Sequence, residues 1–170
     1  RSTVEWFQLN EAIGLYDNGV SINGDKSNYL GLLNSHYLIA QEINYKSKKA
    51  NFSLWNFYMD KLFNLNWLQL EINYNKWKLG LIGVHQFGLN HQSSLTLGNQ
   101  YINPENSINI ISSILERKSK TTAISLSRTD IFGDGRFVFP RELGRESLYT
   151  SLIRSRLEGL GKSQSTNFSL

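Results

Sequence analysis

Between residues 36 and 128 the chain repeats one pattern three times, and that repetition limits what it can fold into. Residues 36–46 precede the polar break Ser47-Lys48-Lys49 and the run 50–59. Residues 64–74 precede Asn75-Lys76 and the run 77–87. Residues 108–116 precede Arg117-Lys118-Ser119 and the run 120–128. Two strand-like runs joined by a short polar turn are the signature of a β-hairpin. The links between hairpins differ in length: residues 60–63 are few, but 88–107 and 129–146 are long. Short turns at one end and mostly longer loops at the other match the layout of outer-membrane barrels. Strands of about ten residues also suit a tilted crossing of the hydrocarbon layer.

Alternation with period two sorts each run onto two faces. Tyr37, Ile39, Ile43 and Tyr45 share one face, interrupted by Gln41, and oppose Ala40, Glu42 and Asn44. Leu68, Leu70, Ile72 and Tyr74 oppose Gln69, Glu71 and Asn73. Ile124 and Leu126 oppose Ser125 and Ser127. Runs 77–87 and 108–116 carry apolar residues on both faces. One apolar face fits a half-exposed soluble sheet as well as a membrane wall. Aromatic placement favours the wall. Tyr37, Tyr45, Phe57, Tyr74, Trp77, Phe87 and Tyr149 fall near strand ends, where interfacial girdles form.

The rest of the chain sets bounds. Its 170 residues suffice for one domain with a real core. The absence of cysteine removes disulfides and thiolate metal sites. A formal charge of +4, with no basic run longer than a pair such as Lys48-Lys49, argues against nucleic acid as a partner. No apolar run approaches the roughly 20 residues of a membrane helix, so any crossing must use strands. Residues 1–35 read as loop-rich, punctuated by Gly14, Gly19, Gly24 and Gly31, with one strand expected near 4–9. Residues 36–128 hold the three hairpins and 129–146 a long charged loop. Residues 147–170 read as wall strands, one at 147–157 and another beginning near Thr166. Arg1 and Leu170 read as cuts, so an internal piece of a longer chain is expected.

No chemical step is expected. His36, His85 and His91 lack a metal-ligand spacing, and no serine sits in a nucleophile elbow. Phe132-Gly133-Asp134-Gly135 is a turn signal rather than a phosphate loop. The expectation is therefore no enzyme, no cofactor and no metal.

The densest charge lies between Arg136 and Gly161. Arg141, Glu142, Arg145 and Glu146 crowd around Pro140 and Gly144, which shape a loop. Arg154, Arg156 and Glu158 follow. Arg154 and Arg156, two apart, would share one face of a strand, opposite Tyr149, Ile153 and Leu157. A guanidinium fork suits carboxylates, so these arginines are candidates for lining a pore. Equally, they pair with Glu142, Glu146 and Glu158 to brace the loop.

The stretch F-P-R-E-L-G-R-E at 139–146, then Y-T at 149–150 and R-S-R-L-E-G-L-G at 154–161, resembles the OprD-like outer-membrane porins. Leu143 stands where that family usually has tryptophan. The resemblance covers 137–161; the hairpin rhythm of 36–128 is compatible with it. It implies an all-β fold, an antiparallel transmembrane β-barrel of roughly eighteen strands, of which this chain would supply about eight. It also implies a bacterial outer-membrane location, inward-folded loops and a basic ladder on one wall. By position that ladder would be Arg154 and Arg156, with Arg141 and Arg145 in the preceding loop. Arg136, Glu142, Glu146 and Glu158 would join the pore lining. The implied partners are outer-membrane lipid and small anionic or zwitterionic solutes, with monomer and trimer both open. Two other readings remain at this point: a small structural or adhesion barrel without a conducting pore, and a soluble ligand-binding barrel.

Overall fold

The computed structural model describes residues 2–8, 35–97, 100–139, 146–151, 157 and 159–170, the first of these segments by its backbone. Eight strands appear: β1 (Ser2–Gln8), β2 (Tyr37–Lys46), β3 (Ala50–Met59), β4 (Phe63–Tyr74), β5 (Trp77–Gly88), β6 (Ser107–Lys118), β7 (Ala123–Phe132) and β8 (Ser163–Ser169). One short helix, α1 (Asn90–Ser93), sits between β5 and β6. The strands form a single antiparallel sheet in the order of the sequence. No pairing joins β1 to β8 among the described residues, so the sheet is not closed. No helix among the described residues is long and apolar enough to cross a membrane, which says nothing about strands.

Up-and-down order follows from the turns. At the β2–β3 turn, Ser47 Oγ accepts from the Ala50 amide at 3.0 Å, and the Ser47 amide donates to the Ala50 carbonyl at 2.8 Å. Asn75 takes φ 54° in the two-residue β4–β5 turn, a left-handed conformation that asparagine tolerates. Ser119 repeats the serine arrangement between β6 and β7, accepting from the Thr122 amide at 3.1 Å. After β7 the chain leaves the sheet through Gly133, φ 108°, where a side chain would strike the Ser107 carbonyl.

Register divides the side chains cleanly. Phe63, Leu65, Trp67, Gln69 and Glu71 of β4 share a face with Val84, Ile82, Gly80 and Lys78 of β5. Ile110, Ser112, Ile114 and Glu116 of β6 continue that face, and so do Ile131, Thr129 and Ser127 of β7. The long β7–β8 connection packs over it, so it is the covered face. Phe137, Val138 and Phe139 are buried there with Trp67, Leu65, Val84 and Ile110. Phe139 meets Phe57 edge-on at 6.3 Å and Trp67 at 6.2 Å. Burying each such side chain contributes about 1.5–3 kcal/mol. The opposite face carries no layer among the described residues and is the bare face.

Several expectations need correction, among them the loop expected at 129–146, whose first residues, 129–132, are the end of β7. Residues 147–151 are not a strand, and neither is Leu157; they belong to the connection that folds over the covered face. Tyr149 and Leu157 accordingly point into the packed side, not onto an outer apolar band: Leu157 is buried, and Tyr149 packs against the core. Backbone amides that a sheet edge would satisfy are taken here by side chains, as described below. The final strand also starts earlier, at Ser163 rather than near Thr166. The apolar residues on both faces of β5 and β6 now have separate reasons. One set meets the β7–β8 connection and the other lies bare.

Candidate functional site

The covered face divides along the strands into two parts. Toward the long connections it is a sealed layer. Gln86, fully buried on β5, makes two hydrogen bonds to one backbone unit: its Nε2 donates to the Val138 carbonyl at 2.6 Å, and its Oε1 accepts from the Val138 amide at 2.9 Å. A side-chain amide thus does for Val138 what a neighbouring strand would do. Further along, the Tyr149 amide donates to Ser112 Oγ at 3.1 Å, and Ser127 Oγ donates to the Tyr149 carbonyl at 3.0 Å. Thr150 Oγ1 donates to Thr129 Oγ1 at 2.8 Å, which lies 2.6 Å from Ser112 Oγ. Ser112, Ser127, Thr129 and Thr150 are all buried. Buried polar groups with their partners in place fix one docked position, because any slip leaves several unpaired.

Toward the hairpin turns the same face becomes polar and open. Glu42, Asn44, Asn51, Ser53, Gln69 and Glu71 help line a recess of about 380 Å³. Trp55 Nε1 donates to Glu42 Oε1 at 2.7 Å, and Asn44 Nδ2 donates to the same oxygen. Lys78 Nζ lies 2.6 Å from Glu71 Oε1, and Lys118 Nζ 3.0 Å from Glu116 Oε1. Register therefore places Glu42, Glu71 and Glu116 on this face with Lys46, Lys78 and Lys118. This part of the covered face is mixed in sign rather than basic. Such a surface offers water-exposed donors and acceptors to a polar solute.

Tyr149 marks the border between the two parts. Its hydroxyl donates to Glu71 Oε1 at 3.2 Å, and Lys78 Nζ stands 5.9 Å from its ring centroid. Burial, then the nearby Glu71 carboxylate, pushes the phenol well above its ordinary value of 10.0. The ring fits because β5 carries glycine at 80: a Cβ there would overlap the phenol and Ile114.

The bare face is apolar over most of its area. Leu68, Leu70 and Ile72 of β4 register with Gly83, Leu81 and Leu79 of β5. Ile111 and Leu115 of β6 and Leu126 of β7 extend the surface. Leu68 is 44% exposed, Leu79 52% and Leu126 53%. Contiguous apolar patches beyond a few hundred Å² are rare on soluble monomers. Tyr45, Tyr74 and Trp77 lie on this face near the hairpin turns. Tyr37, Tyr58 and Phe87 lie on it toward the other end, with Tyr37 and Tyr58 stacked at 6.1 Å. Phe57, expected among such aromatics, is on the covered face. On β7 the Arg128–Asp130 ion pair also lies on this face, beside Ser113 of β6, and a polar row crosses it, Gln41, Asn56, Asn66, His85 and Asn109 in register. Its members bond to one another: Asn56 Nδ2 to Asn66 Oδ1 at 2.9 Å, and His85 Nδ1 to Asn109 Oδ1 at 2.8 Å.

Of the charged residues expected to line a pore, Arg136 and Glu146 are described. Arg136 is partly buried; its Nη2 donates to the Tyr101 carbonyl at 3.1 Å and its guanidinium stands 5.1 Å from the Tyr101 ring centroid. Glu146 is buried, and its Oε1 accepts from the Leu157 amide at 3.0 Å. Both hold loops together. Arg141, Glu142, Arg145, Arg154, Arg156 and Glu158 lie outside the described residues. Sequence reasoning missed Gln86, Ser112 and Thr129. The available signal was a polar residue in an apolar alternation, as Ser112 stands between Ile110 and Ile114. Among the described residues no group of three His, Asp or Glu is arranged to hold a metal. Comparison of the chain with family models, with curated proteins and with solved structures finds no match.

Proposed function

We propose that this chain is a section of the wall of an outer-membrane porin, and that it serves passive diffusion of small carboxylate-bearing or zwitterionic solutes. The observation that carries the reading is the bare face. Leucines and isoleucines at register-matched positions on β4 to β7 lack cover among the described residues, with aromatic residues toward both strand ends. In hydrocarbon that face is solvated; in water it is an aggregation hazard. The covered face would then be the lumen side. Its polar part would line an aqueous path, and the β7–β8 connection would narrow that path from within. Strands β1 to β8 would form about half of a barrel of roughly eighteen. Paired carboxylates and lysines would hold a charged solute weakly enough to release it. The arginines at 141, 145, 154 and 156 would add the anion preference that the described wall lacks.

Planar-bilayer recording tests this reading. The expected result is stepwise current, with a reversal potential in a salt gradient that shifts toward cation preference in the Arg154→Gln, Arg156→Gln double variant. Absence of current from inserted protein would leave a structural barrel. Failure to insert at all would leave the soluble alternative.

A further inference from the structure

The hairpin turns carry a charge pattern that the pore reading does not use. Lys48 and Lys49 form most of one turn, Lys76 half of the next, and Lys120 sits in the third, beside Arg117 and Lys118 at the end of β6. These six are a third of the chain's 18 lysines and arginines. No acidic residue lies within 47–49, 75–76 or 119–122. All six are exposed. Lys118 is paired with Glu116, whereas Lys48, Lys49, Lys76 and Lys120 have no ion pair among the described residues. The other end of the sheet is mixed, with Asp60 against His36 at 3.0 Å and Asp134 and Glu105 near Arg136 and Lys61 in sequence or rim position.

Two of the turns meet. The Lys118 amide donates to the Lys76 carbonyl at 2.8 Å. Between them lies a notch of about 310 Å³, lined by Lys76 and Lys120 of the turns, by Asn73, Lys78, Glu116 and Lys118 at the end of the covered face, and by Trp77 of the bare face; Lys78 pairs with Glu71 and Lys118 with Glu116. Arg117 lies 5.5 Å from the Trp77 ring centroid. Trp77 is the first residue of the apolar bare face, which continues directly into Leu79 and Leu81. A positive notch joined to an apolar surface through an amphipathic ring matches an anionic phospholipid: phosphate in the notch, acyl chains on the bare face.

We infer that the turn end is a headgroup site for anionic phospholipid, centred on Lys76, Lys120 and Trp77 and extended by Lys48 and Lys49. A soluble phosphate would engage the lysines alone; continuity with Trp77 and Leu79 selects lipid. The inference rests on the membrane reading above and names a lipid partner for that wall.

The test uses quenching of tryptophan fluorescence in the vesicle-inserted protein. Trp77 is on the bare face, whereas Trp55 and Trp67 stack together on the covered face. A Trp77→Phe variant defines the Trp77 signal. Brominated anionic lipid is expected to quench Trp77 several-fold more effectively than brominated zwitterionic lipid at equal mole fraction. The preference should fall at high salt. A Lys48→Gln, Lys49→Gln, Lys76→Gln, Lys120→Gln variant should lose it, so that the two lipids quench equally, since each lysine near an anionic surface contributes up to about fivefold. The matching lysine-to-arginine variant should keep it. Equal quenching by both lipids overturns the headgroup site and leaves the membrane reading standing. Abolition of the preference by millimolar inorganic phosphate, at an ionic strength matched with chloride, overturns it in favour of a soluble-anion site. Quenching by neither lipid removes both the site and the membrane reading.

Discussion

The two faces of β4 carry similar apolar residues in opposite circumstances. Phe63, Leu65 and Trp67 are sealed beneath the β7–β8 connection, while Leu68, Leu70 and Ile72 stand uncovered on the other side. On the covered face the chain supplies its own cover, fastened by Gln86, Ser112 and Thr129. On the bare face the described residues supply none. Hydrophobicity alone does not distinguish the two sides; what does is whether buried polar partners exist to hold a second layer. Among the described residues they hold a second layer on one side.

That contrast can be broken by substitution. The largest effect is expected for Trp67→Ala, which opens a cavity under Phe139 and should cost about 3–5 kcal/mol in equilibrium unfolding, in detergent and in lipid alike. Leu70→Arg should cost about 2–4 kcal/mol when unfolding is measured from vesicles, because the charge would meet hydrocarbon. A change below about 0.5 kcal/mol would mean that Leu70 faces water and would end the membrane reading. Gln86→Leu leaves the Val138 amide and carbonyl without partners, at about 2–3 kcal/mol. On the porin reading it should also raise single-channel conductance, and on any reading it should expose the 133–162 segment to protease; unchanged cleavage would show that other contacts suffice.

The smallest effect concerns Tyr149. Tyr149→Phe removes the hydrogen bond to Glu71 and should cost about 1 kcal/mol near neutral pH. The folded phenol ionises only above its ordinary value of 10.0, the unfolded one near it. The contribution is therefore complete below pH 10 and lost as pH rises beyond it. Wild type and Tyr149→Phe should converge in stability in that alkaline range; a constant gap would mean that the phenol is not buried as described.

Much of the sheet was legible in the sequence because hairpins advertise themselves. Run 50–59 matches β3 residue for residue, and run 77–87 falls one short of β5. The third hairpin was misjudged at its turn, set at 117–119 where the chain turns at 119–122. Its second strand then runs on to Phe132. The ion pair between Arg128 and Asp130, at 2.8 Å, makes that continuation look like loop. The reading of a strand over 147–157 failed at the described positions, 147–151 and 157, for a different reason. Tyr149 and Leu157 have the spacing of one strand face, but period-two logic cannot tell a residue facing lipid from one facing a wall. The fastening comes from Ser112 and Thr129, distant in sequence and ordinary in composition. The candidate arginines were conspicuous through charge, whereas Gln86 was inconspicuous because one amide among many carries no local signature.

Gly80 has a wider consequence. The wall is one side chain thinner where the Tyr149 ring lands, so the position of the inward connection is recorded in the strand as a missing atom. A methyl group at that point, Gly80→Ala, would act as a wedge. It would lift the ring from Glu71 and Lys78 without altering a single residue of the connection itself. The footprint of a packed-on segment can thus be sought in the strands of the sheet, as a vacancy cut to the shape of what rests there.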